Sequence, residues 1–172
     1  MNRLSALVLT TILAVAVNVR AQSNSVSTDV KQDYASIKNV LLRSADRMLE
    51  MDYSFRTTPQ VRTFGQMIAH IADTQTALCA IVKGEQKRGN TPGNTGKAEL
   101  SAALKASFDY CDPVYYSMTD AEGAQTVKMF GRDRTKLGVL IFNTAHDSEM
   151  YGQMVAYMRI KSIVPPSSEG RP

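Results

Sequence analysis

One period, the helical one, governs most of this sequence. In four long segments apolar residues recur at steps of three and four, which gathers them on one face of an α-helix. The first, Ser27 to Asp52, places Val30, Tyr34, Ile37, Leu41, Met48 and Met51 on its stripe; Ser27 or Thr28 is positioned to cap it, and Asp29 suits the positive end of the helix dipole. The second opens at Thr57-Thr58-Pro59-Gln60, where Thr57 and Gln60 have capping-box spacing and proline suits a first turn. Its stripe is Val61, Phe64, Ile68, Ile71, Leu78 and Val82, and Gly84 ends it. The third carries Leu100, Leu104, Phe108, Cys111, Tyr115 and Met118, with Pro113 expected to kink the helix or end it early.

The fourth segment, Arg134 to Lys161, has two apolar stripes. Leu137, Ile141, Thr144, Ser148, Tyr151, Val155 and Met158 make one; Val139, Phe142, His146, Met150 and Tyr157 make the other, on nearly the opposite side. A helix that is apolar all round is covered on both sides. One face closes the bundle, and the other calls for a further segment or a second subunit, so a homodimer is expected. The whole predicts an all-α domain, an antiparallel four-helix bundle over residues 22–164. Between the helices, Lys83 to Lys97 reads as a solvated, mobile loop of Gly, Asn, Thr, Pro and charge. In Thr119 to Asp133, Thr119 and Glu122 suit a capped turn and Val127-Lys128-Met129-Phe130 an extended run. Pro165-Pro166 stops the last helix and leaves 165–172 as a flexible tail.

The N-terminus is of another kind. Met1-Asn2-Arg3 is a short positive stretch, Leu4 to Val17 is almost wholly apolar, and Val19-Arg20-Ala21 offers permissive residues at a cleavage site. Residues 1–21 therefore read as a secretory signal peptide, and the mature protein as secreted or periplasmic. The apolar run falls short of the ~20 residues of a spanning helix, so no stable membrane association is expected after cleavage. Loss of Arg3 and Arg20 lowers the net charge of +4 by two. That balance, with basic residues scattered, argues against nucleic acid as a partner. Export places Cys79 and Cys111 where a disulfide persists; two buried thiols remain the alternative.

His70 and His146 are the chain's two histidines, each amid apolar neighbours on a different helix. His146 and Met150 stand at i and i+4 and so share a helical face. A lone histidine on an apolar face is more often a hydrogen-bonded core residue than a ligand, and a firm metal site needs three or four protein ligands. Tyr151, Tyr157 and Arg159 have equally plain readings as packing, one hydrogen bond each, and a favourable charge at a helix C-terminus. There is no G-x-S-x-G, P-loop, dinucleotide fingerprint or H-E-x-x-H.

Phe55 to Phe64 followed by Ala69-His70-Ile71-Ala72 resembles the second helix of the DinB/YfiT-like family. So do His146-Asp147-Ser148-Glu149, Tyr151-Gly152-Gln153, Tyr157-Met158-Arg159 and the ending Ile163 to Ser168. The resemblance spans nearly all of the mature chain. It implies a four-helix bundle, often dimeric, that holds a divalent Zn or Ni ion on three histidines. One comes from the second helix and two from an H-x-x-x-H on the fourth. Carried over, His70 matches the first ligand and His146 the second, while Met150 stands where the third histidine is expected. A thioether is a soft ligand, poor for Zn²⁺ and good for Cu(I). Three outcomes follow, in descending order: a site without metal, a site completed by the carboxylate of Asp73 or Glu149, and copper on His70, His146 and Met150. With metal, an open position would serve a water or a thiolate, and the resemblance implies thiol S-transfer, thiol-dependent isomerisation or hydrolysis on a small-molecule substrate. Without it, the chain is a non-catalytic exported scaffold.

Overall fold

Four long helices carry the fold: α1 (Ser25–Arg47), α2 (Phe64–Lys83), α3 (Lys97–Ser117) and α5 (Lys136–Ile160). A one-turn helix, α4 (Asp120–Gly123), and a hairpin of β1 (Thr126–Met129) and β2 (Arg132–Thr135) stand between α3 and α5. This computed structural model describes residues 24–170, so the expected signal segment lies outside the described residues. Among the described residues no helix is long and apolar enough to cross a membrane.

The four helices form a ring in which α1 packs on α3 and α5, and α2 packs on α3 and α5. Their directions follow from which residues meet. Tyr34 near the start of α1 reaches Asp112 near the end of α3, and His70 on α2 meets His146 on α5 while Arg62 meets Tyr157; both pairs are antiparallel. By contrast Gly65 lies against Leu100 and Cys79 is bonded to Cys111, so α2 and α3 run the same way. Arg47, at the end of α1, likewise meets Val164 just beyond α5. The expected bundle thus has an up-down-down-up order. A 20-residue helix such as α2 is about 30 Å long. The Gly84–Gly96 connection runs back along it, which extended chain covers at ~3.3 Å per residue. The connection is tied on the way: Thr91 bonds Asp73, and the backbone N–H of Lys97 donates to Glu50.

Local chemistry explains where elements start and stop. The second helix begins at Phe64, not Thr57. Its capping box is formed by Thr63 and Gln66, which bond each other's backbone N–H at 3.1 and 2.9 Å. Thr57 and Gln60 have the same spacing, but Val61 is exposed and no apolar face follows from that start. Helix α1 starts at Ser25 and stops at Arg47, giving way to a 3-10 turn at Glu50–Asp52. Its first turn takes no cap from Ser27 or Thr28. Instead the Asp120 carboxylate accepts the backbone N–H of Ser27 at 2.7 Å, and this bond holds the Asp120 carboxyl below its usual range. Thr119 caps α4 through the N–H of Glu122, as expected. Pro113 does not end α3, which continues to Ser117. Val114, Tyr115 and Met118 are buried beyond it, and at ~1.5–3 kcal/mol each they outweigh one missing helical bond. The hairpin turns on Phe130 and Gly131, both at positive φ (50° and 78°), as a two-residue turn requires.

Cys79 and Cys111 form a disulfide with Cα atoms 5.6 Å apart, so the bridge, not the pair of thiols, is what the fold builds. On α5 the buried residues are Leu137, Val139, Leu140, Asn143, Thr144, Asp147, Met150, Met154, Tyr157 and Met158. They follow a line between the two expected stripes, so Val139, Met150 and Tyr157 are covered within the chain and Ile141 and Phe142 are left exposed. As far as Gly170, the described part of the expected tail packs against the bundle. Pro165 and Pro166 are buried, Ser167 exchanges hydrogen bonds with the Tyr151 hydroxyl, and Glu169 pairs with Arg43 and Arg47 of α1.

Candidate functional site

Two antiparallel helices bring the histidines together. His70 follows the buried run Met67-Ile68-Ala69 on α2, and His146 follows the buried pair Asn143-Thr144 on α5. Their Nε2 atoms lie 3.1 Å apart, with ring centroids 5.0 Å apart and planes at 71°. Burial lowers the pKa of His70, the charges of Arg62 and His146 lower it further, and Asp73 and Glu149 oppose them. His70 is therefore biased toward the neutral form, which has a lone pair to give.

The other expected donors fare differently. Met150 is buried one turn along α5 from His146. Asp73 turns its carboxylate to the returning loop, where it accepts from the Thr91 N–H at 3.0 Å and the Thr91 hydroxyl at 2.8 Å. Gly89 passes so close that a Cβ there would sit 2.2 Å from Asp73 Oδ1. Asp73 thus fastens the loop. Glu149 stays exposed on α5. Among the described residues no group of three or more His, Cys, Asp or Glu side chains is gathered closely enough to hold an ion. Two imidazole nitrogens bound to one tetrahedral ion at ~2.0–2.1 Å stand roughly 3.3 Å apart, so the pair needs only a small shift to share one. The histidines fit as two ligands. The remaining positions would fall to the thioether of Met150, to solvent or to substrate.

Three further polar residues converge on this region, and apolar periodicity passes over them. Asp147, Asn143 on α5 and Gln75 on α2 are all fully buried. Asn143 donates to Gln75 Oε1 at 2.5 Å and to the Tyr115 hydroxyl at 3.0 Å. Asp147 Oδ1 lies 3.6 Å from His146 Nδ1, and burial pushes its carboxyl up to about 6 against the pull of His146. The signal that could have found them is register: Leu140, Asn143, Asp147, Met150 and Met154 step by three and four in line. Tyr151, Tyr157 and Arg159 take structural roles, bonding Ser167, the Arg62 carbonyl and Ser168.

Two clefts flank the pair. One of about 790 Å³ lies beyond Asp73 and Thr74, between α2, the Glu85–Gly89 loop and the hairpin, and Lys87, Arg88, Lys128 and Phe130 are among its lining residues. The other, about 520 Å³, is the groove between Val30, Ile37 and Val40 of α1 and Ile141, Thr144 and Ser148 of α5. Neither is lined by a histidine.

The same helices in the same arrangement occur in solved structures. A DinB-like protein from Bacillus cereus ATCC 10987 superposes with a TM-score of 0.68 at 18% identity, over 81% of this chain and 95% of that one. A DinB-like protein from Bacillus subtilis gives 0.65 at 16% identity, over 78% and 92%. A mutant of a mycothiol-dependent maleylpyruvate isomerase gives 0.61 at 12% identity, over 77% and 65%. At these identities the likeness is one of fold. No curated protein matches the chain. A family model described as the DinB superfamily matches residues 34–154, a span that includes both histidines, the disulfide and all of the buried polar cluster. On that match the chain belongs to the DinB superfamily.

Proposed function

We propose that this is an exported, metal-dependent enzyme of the DinB kind, of the hydrolase or thiol-transferase type, with an altered third ligand position. The observation that carries the reading is the 3.1 Å approach of His70 Nε2 and His146 Nε2 across two antiparallel helices. Bound there, a divalent ion would supply Lewis-acid activation of a water or thiol. The chain's own part is to present the two nitrogens. Rigid helices fix their spacing, and burial biases His70 toward the neutral form. Met150 softens the donor set, which weakens Zn²⁺ and Ni²⁺ relative to the family's three histidines and leaves copper as the softer option. The fold shared with a mycothiol-dependent isomerase supports the thiol branch. Export is supported by the apolar N-terminal stretch and by the Cys79–Cys111 bridge, which an oxidising compartment sustains.

The test is a calorimetric titration of the mature protein with Zn²⁺, Ni²⁺ and Cu(I). Met150→His should raise Zn²⁺ or Ni²⁺ affinity by about two orders of magnitude or more, as a third imidazole would. His70→Ala and His146→Ala should each remove binding. If neither the wild type nor Met150→His binds any of the three ions, the metal reading fails. The second reading then stands: a non-catalytic exported bundle that kept the scaffold, favoured by a single observation, the apolar Met150 packed into the core at the third position.

A further inference from the structure

Among the described residues, the buried side-chain nitrogen and oxygen atoms without a hydrogen-bond partner are Gln75 Nε2, Asn143 Oδ1, His146 Nδ1 and both carboxylate oxygens of Asp147. All belong to the facing surfaces of α2 and α5. Each such atom costs about 1–3 kcal/mol in a folded core, so their gathering beside the histidine pair calls for a chemical reason. The geometry of two of them supplies it. His146 has one ring nitrogen, Nε2, turned to His70, and the other, Nδ1, buried 3.6 Å from Asp147 Oδ1. Asp147 has no Lys or Arg partner there. The nearby Tyr115 hydroxyl is already engaged with Leu140, Thr144 and Asn143.

We propose that Asp147 is the positioning residue of the histidine pair: its carboxylate takes the Nδ1–H of His146 and so keeps the Nε2 lone pair facing His70. The contact needs the ring and carboxylate to close by only about half an ångström to reach hydrogen-bond distance. A ligating histidine is commonly held in this way, with its second N–H on a carboxylate that fixes both ring angle and tautomer. Here the carboxylate comes from the next residue on the same helix and is fully screened from water, where its attraction for an N–H is strongest. The assignment rests on His70 and His146 being the functional pair and adds the group that orients it. It also orders the hydrogens. His146 carries its hydrogen on Nδ1, and His70 donates from Nε2 across the 3.1 Å contact. For the pair to share an ion, only His70 would have to change tautomer.

Long-range ¹H–¹⁵N correlation spectra, taken where both rings are neutral, read these tautomers directly. The wild type should show His146 as Nδ1–H and His70 as Nε2–H. Asp147→Leu should reverse both, because His146 then donates to His70, and Asp147→Asn, which keeps an acceptor oxygen, should retain the wild-type pattern. Zn²⁺ affinity by calorimetry should fall about 10- to 100-fold in Asp147→Leu. A wild-type His146 in the Nε2–H form overturns the proposal whether or not either variant folds, as does an Asp147→Leu protein with unchanged tautomers. Flat titrations of the wild type and of Met150→His with Zn²⁺, Ni²⁺ and Cu(I) defeat the metal reading alone, since the tautomers are scored without any ion.

Discussion

The bundle buries two polar clusters, and they are built to opposite rules. Between α1 and α3, the Tyr34 ring stacks on Tyr115 at 3.7 Å, and the Tyr34 hydroxyl reaches Asp112 at 2.8 Å. Lys38 closes on the same carboxylate at 2.6 Å. Burial, then the Asp112 bond, push the Tyr34 hydroxyl well above its ordinary range, so it remains a donor throughout. Every charge here has a counter-charge, and Lys38 and Asp112 keep some contact with water. Between α2 and α5, Asp147 is cut off from water and faces His146 Nδ1 at 3.6 Å in place of a Lys or Arg. Tyr115 touches both clusters, and on its α5 side the polar atoms without partners begin. A satisfied cluster specifies packing. One left incomplete costs stability, and proteins retain that cost where a group must stay available.

The largest expected effect tests the closed half. Reducing the bridge, or replacing Cys79 and Cys111 by alanine, frees a 32-residue separation, which chain entropy values at about 3–4 kcal/mol. Urea unfolding should show that loss. A change below about 1 kcal/mol would mean that packing alone joins α2 to α3.

Tyr115→Phe cuts the join between the clusters. It removes the hydroxyl shared by Leu140, Thr144 and Asn143 and should cost about 1–3 kcal/mol, since Asn143 then loses a buried partner. A neutral outcome would show the two clusters to be independent.

The smallest effect has the most telling sign. The Asp147 carboxyl is raised from 3.8 to about 6 in the fold. Between those values the folded state holds a proton that the unfolded chain releases, so this group's contribution falls as pH rises from about 4 to 6 and stays low above. His70 is shifted the other way, below 6.5, and its contribution is lost as pH falls below that value. Asp147→Asn should therefore stabilise the protein by roughly 1 kcal/mol at neutral pH, less than the full shift because a polar group remains buried. It should also leave a protein that only loses stability on acidification through pH 6. If Asp147→Asn destabilises at pH 7 instead, the hydrogen bond from His146 outweighs the cost of burying the charge, and the contrast between the halves dissolves.

Helical segments were legible because burial follows the apolar stripe where that stripe is single. The stripe of α3 is buried residue for residue, and α2 from Phe64 onward nearly so. The failures are physical too. Thr57 and Thr63 both head a Thr-x-x-Gln box, and the second won because Phe64, Met67 and Ile68 bury behind it. On α5 the core line runs through Asn143 and Asp147, so hydropathy split it into two stripes on either side and missed these buried polar residues. His70 and His146 were identifiable only because a resemblance paired them.

The sequence by itself determined the helical class and the four long helices, because these depend on local period and residue type. The tertiary structure decided which helices run parallel, whether Cys79 meets Cys111, that Asp73 fastens a loop, and that the Asp147 carboxylate is buried beside His146 Nδ1. Each depends on where a side chain from one helix meets another, and periodicity along a single helix carries no record of that.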